Sequence, residues 1–370
     1  MPDQRVLIAG LLLLLSLGTA GYGPPVLTDG RQPALRLYPE QVRAMRALSQ
    51  PPAISALAGL MVDPDSGQTL YALRPHDRLP PASTVKIMTA LLALQRANLD
   101  AVVTVSAAAA NASGSRMGLV AGEKLTVRDL LYGLLLPSGN DAAVALAEHI
   151  GGSQAGFVTL MNEAAAGLGL GQTRFANPHG LDDPAQTTSA ADLVTITRAA
   201  LAYPSFARIV AAEHVYTANR SLANTNQLLS IYRGADGVKT GTTAAAGECL
   251  VASVTRNGHR VLVVVLGSRD RFADAVALLE YAAASWSWRP AALPDNALGW
   301  EIGADGRAYR LAAADKADLF LPTWQWRLVQ PVRVLSADTP LTSTLPVGLL
   351  HYMLDGRVLA TVPLTVRQKP

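Results

Sequence analysis

Ser83 and Lys86 stand three residues apart in the run Pro80-Pro81-Ala82-Ser83-Thr84-Val85-Lys86-Ile87-Met88-Thr89-Ala90-Leu91-Leu92, a spacing that sets a hydroxyl beside an amine. The two prolines stop an extended segment. Val85, Met88, Thr89 and Leu92 then recur with helical period and no breaker intervenes. Side chains three apart on a helix share a face one turn apart, so Lys86 reaches back to Ser83. A serine hydroxyl is a weak nucleophile until a base takes its proton. A lysine serves as that base only when neutral, and lowering its pKa from about 10.4 to about 7–8 costs on the order of 4 kcal/mol, which calls for burial. Val85, Ile87 and Met88 are suitable apolar walls. Taken alone, the tetrad also fits an N-cap serine followed by an exposed lysine.

Two further clusters carry polar groups in apolar settings. Ser138-Gly139-Asn140 lies between the apolar segments 126–136 and 142–150, so its turn projects two polar side chains from a dry wall, although a simple turn uses the same residues. Lys239-Thr240-Gly241 follows Asp236-Gly237 and precedes two valine- and leucine-rich runs, 250–255 and 260–266, joined at Asn257-Gly258. That dipeptide is a strong hairpin signal, which puts Lys239 on a strand beside a hairpin.

The elements that position these clusters follow in order. Residues 55–62 and 68–73 read as a β-hairpin turning at residues 63–67, ahead of the serine helix. Thr126 is a good cap for the helix running to 136. Further helices are expected at 142–150, 157–168 and 192–201, with a loop over 175–182. An apolar helix over 272–287 is long enough to cover the sheet, and Pro290 and Pro294 bracket a linker. Short strands with turns at Asp305-Gly306, Ala337-Asp338 and Asp355-Gly356 predict a small all-β module from residue 298.

The whole chain restricts the reading further. It has 370 residues, 50% hydrophobic and 16% charged, which excludes a disordered protein and allows one large or two medium domains. Residues 1–20 hold Arg5, an apolar run and a small-residue end, the layout of a secretory signal cleaved after Ala20, with an uncleaved N-terminal membrane anchor as the competing reading. Residues 21–52 read as an N-terminal extension with one short helical candidate at 39–48. Cys249 is the single cysteine, so no internal disulfide forms, and a small buried hydrophobe beside a strand is the expected role. The net charge is +3 with scattered cations, which argues against nucleic-acid binding. The six histidines form no close pair with ligand spacing, so no metal site is expected.

With Ser83-Thr84-Val85-Lys86, Ser138-Gly139-Asn140 and Lys239-Thr240-Gly241 in one order, the chain resembles the active-site serine penicillin-recognising enzymes. Among them it is similar to the low-molecular-mass D-alanyl-D-alanine carboxypeptidases. The resemblance runs over about residues 52–288, including 122–147, 175–183, 224–229 and 237–254, and more loosely over the β-rich tail. It implies an α+β fold: an antiparallel sheet with helices on both faces and a helical subdomain in a catalytic domain over 53–290, then a C-terminal β-rich domain over 297–370. It implies acyl transfer to Ser83 with Lys86 as base and Ser138 as proton relay. Asn140, Lys239, Thr240, Gly241 and Thr242 bind substrate, and the backbone N–H groups of Ser83 and Thr242 receive the oxyanion. No cofactor is implied. The partners are a peptidoglycan stem peptide and β-lactams as covalent inhibitors, met in the periplasm or another extracytoplasmic wall space. His179, Asp182 and Asp192 read as loop bracing and helix capping. Two departures stand out: no C-terminal amphipathic helix follows the last strand, and Ala191 occupies a position where a basic residue is expected. An endopeptidase cutting crosslinks would use the same residues. A class A β-lactamase needs a glutamate to activate water, and Glu148, Glu163 and Glu213 lack a Glu-x-x-Leu-Asn setting. A binding module with a dead site would have lost one of the polar residues, and all are present.

Overall fold

The computed structural model describes residues 28, 29, 40, 43, 44, 50–291, 293 and 297–367. Residues 1–20, read above as a secretory signal, and most of the N-terminal extension, including most of the helix expected at 39–48, lie outside the described residues. The described residues fall into two units, one of Pro51–Ala282 and one that takes in those of Met1–Gln50 and Ala283–Pro370.

The first unit is built on a five-stranded sheet. Its strands are β1 (Ala58–Val62), β2 (Thr69–Leu73), β3 (Ala235–Thr243), β4 (Gly247–Arg256) and β5 (His259–Ser268), in the order β2-β1-β5-β4-β3. All four pairings are antiparallel. Asn257 and Gly258 turn β4 into β5 with φ of 53° and 82°, the left-handed pair that a two-residue hairpin loop requires. Alternation along β4 and β5 divides the buried side chains between two faces. Val251, Leu262, Val264 and Leu266 join the main helical core, while Leu250, Ala252, Val263 and Val265 are buried on the other side. A sheet buried on both faces needs a layer on each.

Five helices form the first layer: α1 (Lys86–Arg96), α2 (Val127–Leu135), α3 (Asn140–Gly151), α4 (Gln154–Gly167) and α5 (Ala190–Leu201). Residues 86–93 of α1 are all buried, so this helix is dry all round, as a central helix must be. It packs against α2, α3, α4 and α5, and α5 lies on β1 and β5. Thr126 caps α2 in a reciprocal box with Asp129. On the other face, α6 (Arg271–Ser285) follows β5 directly and buries Ala275, Leu278, Leu279 and Ala282, an i, i+3, i+4, i+7 stripe.

The second unit is all-β in its described part. Strands β6 (Trp286–Ala291), β7 (Trp300–Ile302), β8 (Ala308–Ala313), β9 (Ala317–Pro322), β10 (Gln330–Leu335), β11 (Gly348–Leu354) and β12 (Arg357–Arg367) enclose a core of Leu311, Val347, Leu350, Tyr352 and Leu364. Six strands form one sheet in the order Thr28–Asp29, β10, β11, β12, β8, β7.

Two expectations are corrected here. The helix expected to reach 287 ends at Ser285 and Trp286–Ala291 is strand; of the linker expected between Pro290 and Pro294, Ala291 is strand, and Ala292 and Pro294 lie outside the described residues. Trp286, Trp288 and Pro290 pair with Pro322, Phe320 and Asp318 on β9, and Trp288 stacks on Phe320 with ring centroids 3.5 Å apart. A two-stranded ribbon has free edges, so a proline lacking its N–H is tolerated there. Part of the N-terminal extension is also in the sheet, since Thr28–Asp29 pairs in parallel with Val332 and Arg333. A two-residue strand has no periodicity to read in advance.

Candidate active site

Ser83 sits in a 3-10 turn, Ala82–Val85, that runs into α1. Two glycines let other segments close onto this turn. A Cβ on Gly241 of β3 would stand 2.8 Å from the Ser83 backbone nitrogen, and one on Gly180, whose φ is 94°, would run into the Ala82 carbonyl. Gly180→Ala therefore combines a left-handed backbone with a backbone collision. It is expected to cut the rate of Ser83 modification at least about tenfold, as a shift of roughly 1 Å at a reacting centre does. Stopped-flow kinetics on the folded variant check this, and an unchanged rate would show that the turn has room to spare.

Lys86 is fully buried. Its Nζ lies 2.8 Å from Ser83 Oγ, 2.7 Å from Asn140 Oδ1 and 2.6 Å from the His179 carbonyl oxygen. Asn140 Oδ1 and the carbonyl can only accept, so they take two N–H bonds. A neutral amine has two N–H groups and one lone pair, and the remaining position faces the one partner able to donate, the Ser83 hydroxyl. Burial first, and then the charge of Lys239, hold the Lys86 ammonium well below the ordinary lysine range, while Asp141 pulls the other way.

Asn140 is the first residue of α3. Its Nδ2 donates to the Ser113 carbonyl at 2.6 Å and its backbone N–H to the Ser115 carbonyl at 2.7 Å, which fixes Oδ1 toward Lys86. Ser138 is buried with a φ of 65°, and its Oγ has no hydrogen-bond partner among the described residues. An idle buried hydroxyl is costly.

Lys239 is also buried, and Nζ donates to the Thr240 carbonyl at 3.0 Å. Burial, and then the Arg271 charge, push it down to about 7. Register places Lys239 opposite Val251 and Gly241 opposite Cys249, on the sheet face turned to the helical core. Thr240 and Thr242 alternate to the other side, where Thr240 Oγ1 meets Thr225 Oγ1 at 2.6 Å and Thr242 Oγ1 accepts from Arg271 Nη2 at 2.6 Å. Ser83, Lys86 and Asn140 are thus joined directly, and Gly241 by close packing. Among the described residues no hydrogen bond links Ser138, Thr240 or Thr242 to Ser83 or Lys86.

Three participants escaped the sequence reading of the site. His179 contributes its carbonyl, and its ring, which burial and the charge of Lys86 push down to about 4, accepts from Leu181 N–H at 3.3 Å. Asp141, next to Asn140 on α3, is completely buried. Arg271, in the first turn of α6, donates to the Gly241 carbonyl at 2.7 Å and pairs with Glu248 at 3.2 Å. A cation at a helix N-terminus opposes the helix dipole, and that misplacement is the signal that could have drawn attention to it.

The family model described as D-alanyl-D-alanine carboxypeptidase (peptidase family S11) matches residues 45–270. The chain belongs to this family. D-alanyl-D-alanine carboxypeptidase DacC of Escherichia coli is 32% identical over 90% of this chain and 89% of its own length. DacF of Bacillus subtilis is 36% identical, and the match spans 64% of its length. Among solved structures, penicillin binding protein 5 from Haemophilus influenzae superposes with a TM-score of 0.67 at 32% identity, covering 86% of this chain and 98% of that one. The Streptomyces K15 DD-transpeptidase covers 64% of this chain and 99% of its own, at 37% identity and a TM-score of 0.60. As a D-alanyl-D-alanine carboxypeptidase family member, the protein is a serine peptidase of the penicillin-binding kind. Its helices on both faces of an antiparallel sheet, followed by an all-β unit, match the penicillin binding protein 5 structure over 86% of the chain.

Proposed function

We propose that the protein removes the terminal D-alanine from peptidoglycan stem pentapeptides through an acyl-enzyme on Ser83, and that β-lactams acylate the same hydroxyl. The observation that carries this reading is the environment of Lys86 Nζ, which is dry and 2.8 Å from Ser83 Oγ with its other two near positions filled by acceptors. Lys86 takes the proton as Ser83 Oγ bonds to the carbonyl carbon of the penultimate D-alanine. Backbone N–H groups of Ser83 and Thr242 receive the oxyanion, each worth roughly 3 kcal/mol. The C–N bond then breaks as the Ser138 hydroxyl, free of other partners, gives its proton to the departing amine and takes the one held by Lys86, which leaves Lys86 neutral. Water attacks the ester with Lys86 again accepting a proton, which releases the shortened peptide and restores Ser83. Lys239 supplies a cation for the terminal carboxylate, with Thr240, Gly241 and Thr242 along the strand that carries the peptide and Asn140 on the substrate amide.

Such a substrate lies outside the cytoplasm, which agrees with residues 1–20 acting as an export signal. The catalytic groups all come from Pro51–Ala282, and the all-β unit is assigned a positioning role on the wall. Mass spectrometry of the intact protein after exposure to a penicillin tests the reading. One adduct is expected on the native chain and none on Ser83→Ala. Rapid turnover of the penicillin, or an adduct on Ser83→Ala, would refute it. Free D-alanine released from a pentapeptide, with a crosslinked dimer left intact, separates a carboxypeptidase from an endopeptidase.

A further inference from the structure

Asp141 is completely buried and, among the described residues, has no salt-bridge cation. Its two oxygens instead accept four backbone N–H groups: Met117 at 3.0 Å and Ala142 at 2.9 Å on Oδ1, Gly118 at 2.9 Å and Leu119 at 3.0 Å on Oδ2. The loop so held carries the Ser113 and Ser115 carbonyls that fix Asn140, and Asn140 in turn fixes Lys86. A second latch grips the same loop from outside, where Arg220 donates to the Gly118 carbonyl at 2.7 Å and pairs with Glu123 at 2.8 Å. Four backbone N–H donors and the first turn of α3 satisfy the buried carboxylate, and its charge also reaches Lys86. The groups facing it are Ser83 from its own turn, Asn140 and Asp141 from α3, the His179 carbonyl and ring from the 175–182 loop, and Lys239 from β3, itself beside Arg271. Asp141 is the anion in that set and Lys239 the cation whose charge opposes it at Lys86.

We propose that Asp141 is a positioning residue for the reaction: its carboxylate clamps the loop that orients Asn140 onto Lys86, and its charge offsets that of Lys239 at the Lys86 nitrogen. The clamp and the charge are separable. Asparagine offers one accepting oxygen and turns an NH2 toward two N–H groups, so Asp141→Asn loses both functions. Glutamate keeps the charge but displaces it by a methylene, so Asp141→Glu loses the clamp alone. Arg220→Gln slackens the loop from outside and leaves the buried charge in place.

The inference rests on the Ser83 and Lys86 reading, and the test is the pH profile of Ser83 acylation by a penicillin in the full chain, with folding checked by circular dichroism. If that reading fails, the native chain is not acylated; if only the inference fails, the native chain reacts and the variants behave otherwise than stated. Asp141→Asn is expected to acylate roughly 10–100-fold more slowly, the effect of misplacing a catalytic group. Its acid limb moves to lower pH by roughly 0.5–1 unit, because removing an anion favours the neutral amine. Asp141→Glu and Arg220→Gln lose rate with the limb unmoved. An Asp141→Asn limb that coincides with the native one overturns the charge role, and a native rate in Asp141→Glu overturns the clamp. If Asp141→Asn is recovered unfolded, Asp141→Glu decides: a slower rate with an unmoved limb supports the proposal, and a native rate overturns it.

Discussion

Lys86→Met and Lys86→Arg both lose Ser83 acylation, by about 10²–10⁴-fold, the usual share of a general base. The arginine variant is the sharper of the two. It keeps several N–H donors for Asn140 Oδ1 and the His179 carbonyl, which sit 2.7 and 2.6 Å from the native nitrogen, but a guanidinium stays charged and has no lone pair to offer. If Lys86 served only to tie α3 and the 175–182 loop to α1, Lys86→Arg would retain much of the rate. Methionine is the matched apolar control, since it fills a similar volume in the dry wall and strands two acceptors, at about 1–3 kcal/mol each. Relief of amine desolvation offsets part of that cost, so the methionine variant still folds. Rates measured under single-turnover conditions, beside melting curves, distinguish these cases, and a Lys86→Arg protein within tenfold of native would remove Lys86 from the base role.

Lys239→Met is expected to lower kcat/KM by about 10²–10³-fold and to raise the melting temperature. The first effect is the loss of a buried charge-assisted pair with the substrate carboxylate, typically 2–5 kcal/mol. The second follows from burial. Lys239 is held at about 7 in the folded protein against 10.5 for the free side chain, so the unfolded chain binds its proton more tightly. Stability is therefore lowered in full below pH 7, and the penalty fades as pH rises from 7 to 10.5. Methionine removes a penalty on the order of 5 kcal/mol at low pH, and Lys239 has few buried acceptors to strand, the Thr240 carbonyl being its bonded partner. The native kcat/KM profile should be bell-shaped, with the acid limb set by Lys86 losing its proton and the alkaline limb near 7 by Lys239 losing its own. Bound carboxylate stabilises the Lys239 cation, so the alkaline limb of kcat lies at higher pH than that of kcat/KM. A Lys239→Met profile that keeps the alkaline limb, or a variant that melts lower at pH 6, would contradict the assignment.

Much of this architecture was legible because it is local. Three-residue spacing on a helical run puts Lys86 against Ser83 whatever the rest of the chain does. Thr126 with Asp129, and Asn257 with Gly258, satisfy backbone groups within a few residues of themselves. The strand from Trp286 to Ala291 was not legible, because Pro290 suggests the start of a linker until Phe320 arrives to stack on Trp288. Asp141 was missed for a related reason, since it works through backbone groups that carry no side-chain signature, and Arg271 because its partners Gly241, Thr242 and Glu248 lie 23–30 residues away along the chain.

The amino-acid order by itself determined the hydroxyl and amine on one turn, the capped helices, and the alternating strands that put Lys239 and Gly241 on one face. Only the tertiary structure decided that Lys86 is dry, that Asn140, 54 residues away, and the His179 carbonyl, 93 away, fill two of its three near positions, and that Asp141 lies behind them. Dihedral periodicity acts over a few residues and can be read along the chain. Desolvation and charge act across space, and here the groups that tune one nitrogen come from four separate elements.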